Sequence, residues 1–277
     1  MKKGLILFLL VMSVFLFSAC SHEVEFDFNN GTLVVGLECA YAPFNWTEDD
    51  PTTSNYPIEG TSYYAQGYDI QIAKLVAEEL DLTLVIKKME WGALIENLKE
   101  GSIDLIIAGM SPTADRKLSI DFTSPYYEST HVVLVKEDSA YASAKTFSDF
   151  SGANVVGQQG TVYDDLAKQL SEKGGAVYNN ALDTVPLIIF AIESGAIDAT
   201  ILEEPVAIST VSQHPGFTYV ILETPFTIAE EDRVVSIGVR KVDTALKDAV
   251  DAALNKITND MRTTLMNQAI ENSPKSE

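Results

Sequence analysis

LIENLKEGSIDLIIAG at residues 94–109 and LIIFAIESGAIDATILEE at residues 187–204 share one layout: an apolar helical stretch, a small-residue turn, Ile-Asp and a short apolar strand. Helix-period apolar spacing that runs through a turn into a strand marks an αβ unit, and two such units imply two layered sheets. The copies end in opposite chemistry. The first opens into Gly109-Met110-Ser111-Pro112-Thr113 and the cation Arg116, and the second runs out at Glu203 and Glu204. In two facing lobes these ends suit a zwitterion, because a guanidinium grips a carboxylate bidentately and a side-chain carboxylate takes an ammonium. The pattern also fits an αβ packing unit used twice.

Strand and helix alternate outward from these copies. Strands are expected over 33–37, 82–86, 132–135, 154–156 and 234–239, and amphipathic helices over 70–80 and 243–257. Gly157-Gln158-Gln159-Gly160-Thr161 opens a further helix, and 46–64 is a long polar segment that either covers the cleft or decorates the surface. The expected class is α/β, with each lobe a mostly parallel sheet flanked by helices. The expected division is a signal at 1–19, a spacer at 20–31, a first lobe at 32–129, a second at 130–225 and completion of the first at 226–277. Crossings near 128–130 and 224–228 would form the hinge.

At 277 residues with 46% apolar content, the chain has enough material for real cores. Its formal charge of −21 and the lack of any Lys/Arg cluster argue against nucleic acid. Met1-Lys2-Lys3, the apolar run 5–17 and Ser18-Ala19-Cys20 read as a secretory signal. Removing it takes the formal charge from −21 to −23, through loss of Lys2 and Lys3. Cys39 is the only other cysteine, so no intrachain disulfide forms if Cys20 is modified. His22, His131 and His214 lack metal-ligand spacing, and neither a metal nor a cofactor is expected.

Phe17-Ser18-Ala19-Cys20 resembles a bacterial lipobox with Phe in place of the usual Leu, which implies that Cys20 is lipidated (palmitate) and tethers the chain outside the cytoplasmic membrane. AYAPFNW at 40–46, GYDIQIAKLVAEEL at 67–80, EWGALIENLKEGSIDLIIAGMSPTADR at 90–116 and IDFTSPYY at 120–127 together resemble the polar amino-acid solute-binding proteins of ABC importers. The resemblance implies a two-lobed periplasmic-binding-protein fold of type II, a monomer that closes on a free L-amino acid and delivers it to a membrane permease.

It also implies roles. Arg116 would pair with the ligand α-carboxylate, helped by Ser111 and backbone N–H groups near Gly160 and Thr161. The Gly109 carbonyl and Glu203 would take the α-amine, with Glu204 as fallback and Glu203 standing where Asp is commoner. Tyr41 and Trp91 would sandwich the ligand side chain, and Glu38 would reach its distal end. An anion there favours a basic ligand, arginine or lysine, although glutamine-binding members also carry an acid at that position.

Two rivals use the same residues. A secreted dehydratase on this fold would use Glu38 and Glu203 as an acid and base pair, and a receptor's ligand-sensing subunit would work through a partner. The chain carries no nucleophile elbow, P-loop or metal spacing, so a non-enzyme is expected.

Overall fold

The computed structural model describes residues 25–274, so the signal stretch and the expected lipidation site Cys20 lie outside the described residues. In chain order the strands are β1 Thr32–Leu37, β2 Ala40–Tyr41, β3 Asn45–Glu48, β4 Tyr56–Pro57, β5 Tyr64–Gln66, β6 Thr83–Lys88, β7 Leu105–Ile106 and β8 Asp121–Glu128. They continue as β9 His131–Lys136, β10 Asn154–Val156, β11 Val177–Tyr178, β12 Ala199–Glu203, β13 Phe217–Val220 and β14 Val234–Val239. The helices are α1 Tyr68–Glu79, α2 Leu94–Lys99, α3 Ala114–Ser119, α4 Val162–Gly174, α5 Val185–Glu193, α6 Glu204–Gln213, α7 Thr244–Leu254 and α8 Asn259–Glu271.

Two five-stranded sheets form, ordered β6-β1-β7-β14-β8 and β11-β10-β12-β9-β13. In each, four strands run one way and a single strand, β14 or β9, is reversed, so the sheets are mostly parallel as expected. β1 pairs in parallel with β6 and β7, but β14 runs antiparallel to β7 and β8. In the second sheet β10 pairs in parallel with β11 and β12, while β9 runs antiparallel to β12 and β13. The cause is topological. β8 leaves the first sheet and β9 enters the second after only Ser129 and Thr130, and β14 returns from the second to the first, so β9 and β14, the strands that enter a sheet from the other, are the reversed ones.

The sequence repeat occupies equivalent places. Asp104 accepts from the Val34 N–H at 2.9 Å and Asp198 from the Asn154 N–H at 2.7 Å, so each Ile-Asp staples its turn to the neighbouring parallel strand. In the first copy Arg240, 5% exposed, also pairs with Asp104 at 3.1 Å. At its C-terminal end β7 opens into the loop that leads to α3, whereas β12 runs directly into α6.

Alternation along β9 shows how the second sheet is covered. Val133 and Val135 join Phe150, Leu166 and Leu170 in one apolar cluster, and Val132 and Leu134 face the other cluster with Ile188 and Ile192 of α5. That other cluster runs without a break into Leu37, Tyr41 and Phe44 of the first sheet's side, so the two layers share apolar contact. The segment 46–64 forms a small antiparallel sheet, β2-β3-β5-β4, that caps the edge strand β6: Ile58 bridges Ile86 and the Tyr56 hydroxyl donates to Leu84 O. Its role is structural, closing an otherwise open edge.

Candidate functional site

Glu38, Tyr41, Trp91, Gly109, Ser111, Arg116 and Thr161 line one enclosed cavity between the two sheets, joined by Gln158 and Tyr163. Two loops and the start of α3 build its first wall. Cys39, held at φ +54°, turns the chain so that Glu38 and Tyr41 face inward. Gly109 sits at φ +61° with a built Cβ only 3.1 Å from the Tyr41 ring, so a side chain here would strain the backbone and press on that ring. Thr113 caps α3 through the Arg116 N–H, which sets Arg116 on the first turn facing the cavity.

The second wall is the start of α4. Thr161 is its N-cap, accepting from the Tyr163 N–H, and acidic Asp164 and Asp165 occupy the first turn. Thr161 and Tyr163 both line the cavity, so the positive end of the α4 dipole points into it. Gly160 stands at the rim: its carbonyl accepts from Arg116 Nη2 at 2.9 Å and from Trp91 Nε1 at 3.4 Å. Gln158 Nε2 donates to Glu38 Oε2 at 3.4 Å, a third bond between the walls. Trp91 carries the Arg116 guanidinium 5.0 Å from its ring centre, so one of its faces is already occupied by a cation.

The electrostatics are set by burial of charged groups beside neutral partners. Arg116 is half-buried and its guanidinium donates to two neutral carbonyls, Ser111 O at 2.7 Å and Gly160 O. Loss of water lowers its pKa to about 10, and no carboxylate among the described residues forms an ion pair with it. Burial pushes the Glu38 carboxyl up to about 7, against the Gln158 hydrogen bond that lowers it. Tyr41 is 4% exposed and its hydroxyl has no hydrogen-bond partner among the described residues. Orphaned polar atoms in a dry cavity are costly, and a polar ligand would satisfy them.

Glu203 stands apart from the other expected residues. It ends β12 opposite His131 and is 2% exposed, but it is not part of the cavity lining. Burial alone pushes its carboxyl up to about 8, and one of its oxygens has no partner among the described residues. Glu204 opens α6 and its N–H bonds Thr130 O at 2.9 Å, tying that helix start to the crossing. Beside the apolar Ala108 and Val162, Gln158 and Tyr163 are the polar lining residues that sequence reading passed over. The Gly-x-x-Gly turn before a capped helix was the available signal for them.

A larger, shallower groove runs between α3, β8 and residues 229–234. Its lysines are already paired, Lys117 with Glu231 and Lys247 with Asp251, so it offers an anion no free cation.

The sequence profile of the bacterial extracellular solute-binding proteins, family 3, matches residues 33–269. The chain belongs to this family. Among its relatives is the arginine-binding extracellular protein ArtP of Bacillus subtilis (strain 168), 29% identical over 208 residues, 75% of each chain. A probable histidine-binding protein of Campylobacter jejuni is 28% identical over 230 residues, 81% of this chain and 82% of the relative. Among solved structures, an amino acid ABC transporter substrate-binding protein from Streptococcus pneumoniae, bound to L-arginine, is 27% identical with a TM-score of 0.74. The match covers 88% of this chain and 95% of that one. This family 3 solute-binding protein therefore has the two-lobed α/β fold of such neighbours, its candidate cavity lying between the lobes.

Proposed function

We propose that this solute-binding protein captures a free L-amino acid, basic (arginine or lysine) or polar, by closing its lobes and delivers it to an ABC importer. The observation that carries this reading is Arg116, a desolvated guanidinium that meets only neutral carbonyls and faces the α4 N-terminus across the cavity. That arrangement demands an anion, and an α-carboxylate fits the planar fork. Glu38, 6% exposed on the opposite wall, supplies the charge for a cationic side chain, with Tyr41 packed beside it. The names of the arginine- and histidine-binding relatives point the same way.

In this reading Ser111, Gly160 and Thr161 assist at the carboxylate, the Gly109 carbonyl and Glu203 take the α-amine, and Trp91 holds the guanidinium of Arg116 in place. Glu203 reaches the ligand only if the walls reorganise when it enters. Residues 128–130 and 224–228 serve as the hinge between lobes 32–129 with 226–277 and 130–225. The protein acts as a monomeric carrier and not as an enzyme: Glu38 and Glu203 do not share one cavity, so they form no acid and base pair. Cys20 carries the lipid that holds it outside the cytoplasmic membrane.

A thermal-shift panel of L-amino acids on the protein without its signal stretch tests the specificity. Stabilisation by arginine, lysine or a polar amino acid supports it, and stabilisation by acidic or aromatic amino acids alone refutes it.

A further inference from the structure

The two loops that form the first wall of the cavity hang from one buried carboxylate. Asp69, in the first turn of α1, is fully buried. Its Oδ2 accepts from Asn45 Nδ2 at 2.8 Å, and Asn45 Oδ1 in turn accepts from the Cys39 N–H at 2.8 Å. Its Oδ1 accepts from the Tyr126 hydroxyl at 2.7 Å, and that oxygen accepts from the Gly109 N–H at 3.2 Å. Cys39 lies between Glu38 and Ala40 in the turn that presents Glu38 and Tyr41, and Gly109 begins the loop that presents Ser111 and Arg116. Both Cys39 and Gly109 have positive φ, so their backbones are the ones most in need of an external hold. Tyr126 is itself fixed, its carbonyl accepting from the Tyr68 hydroxyl at 2.9 Å and its ring stacked on Tyr68.

We propose that Asp69 is a positioning residue for amino-acid binding: through Asn45 it holds the Glu38 and Tyr41 turn, and through Tyr126 it holds the Gly109 loop, fixing the spacing of the two loops. The inference rests on the function proposed above for that cavity, but the clamp itself is a property of the ligand-free chain. An acidic acceptor is needed because one residue must receive two donors on opposite oxygens with no proton of its own in the way. Asparagine at this position would offer a single acceptor oxygen and would face one of the donors with an NH₂ group.

The experiment uses Asp69→Asn and Tyr126→Phe, alone and combined, in the full mature chain. Two readouts are taken: amide hydrogen exchange without ligand, and calorimetric titration with L-arginine. The clamp predicts faster exchange at Gly109 in Tyr126→Phe, faster exchange at both Gly109 and Cys39 in Asp69→Asn, and a Kd raised about tenfold in Tyr126→Phe. It also predicts that the double variant loses less affinity than the two single losses added together, since both changes cut the Asp69–Tyr126 bond. Unchanged exchange at both amides in folded variants overturns the inference, as does strictly additive loss of affinity. If wild type binds no amino acid, the proposed function falls, and the exchange data alone decide the clamp. Should Asp69→Asn fail to fold, Tyr126→Phe, which loses only a hydroxyl, carries the test.

Discussion

Arg116 and Gly160 meet across the cavity: the guanidinium on α3 donates to the carbonyl just before α4 at 2.9 Å, with no anion between them. A neutral carbonyl is a poor partner for a desolvated cation, and under the proposed function a ligand carboxylate would take its place. The consequences reach affinity, pH response and stability.

Replacing Arg116 by Ala removes the only cation that the cavity offers a carboxylate. Affinity for every L-amino acid is expected to fall by about 2 to 5 kcal/mol, the cost of stranding a buried charge. The ligand-free protein should lose little stability, because Arg116 there bonds only two carbonyls. Calorimetric titration beside thermal denaturation separates the two effects. A variant that binds as wild type does would remove Arg116 from the site.

Glu38 titrates near 7 because burial disfavours its charge. A cationic ligand side chain needs it ionised, so binding must draw a proton off. Affinity for L-arginine should rise with pH, by up to about tenfold per unit below pH 7, and level off above it. Titrations in buffers of differing ionisation enthalpy should detect proton release near pH 7. Glu38→Gln should abolish that component and shift preference from arginine toward glutamine.

Stability of the ligand-free protein should also depend on pH. The folded pKa values of Glu203 (about 8), Glu38 (about 7) and Asp69 (about 6) all lie above ordinary carboxylate values, chiefly through burial. Each therefore contributes stability that is present at low pH and is lost as pH rises through its folded pKa. His131 acts in the opposite sense: burial lowers it to about 4, so its contribution is present above its ordinary 6.5 and is lost as pH falls toward 4. Between pH 5 and pH 8 the three carboxylates outweigh the one imidazole, so the Tm is expected to fall as pH rises through that range. A Tm that climbs steadily from pH 5 to pH 8 would contradict these assignments.

The two Ile-Asp staples should differ in weight. Asp198→Ala loses two bonds from Asn154, one from its backbone N–H and a longer one from its side-chain amide, at about 1 to 3 kcal/mol. Asp104→Ala also strips a partner from the buried Arg240, so it should cost more, about 3 to 5 kcal/mol. Urea denaturation of the two variants compares them directly.

Much of this architecture could be read from the chain because it is locally encoded. The repeat around Asp104 and Asp198 announced two αβ units, and strand ends carrying Gly109 and Arg116 had to open on the same side as their sheet's other parallel strands. Seven of the expected residues came from such loops and line the cavity. The remainder depends on tertiary context. Gln158 meets Glu38 from 120 residues away, with no periodic signal to announce it. Glu203 was placed by matching a motif, which fixes the strand end but not which way a longer side chain turns. The segment 46–64 reads as polar loop because its strands are two to four residues long and owe their pairing to the edge of β6. The reversed strands β14 and β9 follow from the double crossing, which no local pattern specifies.

The most direct test compares L-arginine with its decarboxylated analogue by calorimetric titration into the mature protein. The two share the guanidinium and the amine and differ only at the carboxylate that Arg116 is proposed to hold. L-Arginine should bind and the analogue should bind at least about a hundredfold more weakly. Equal affinity for the two would show that the cavity does not read the carboxylate at all.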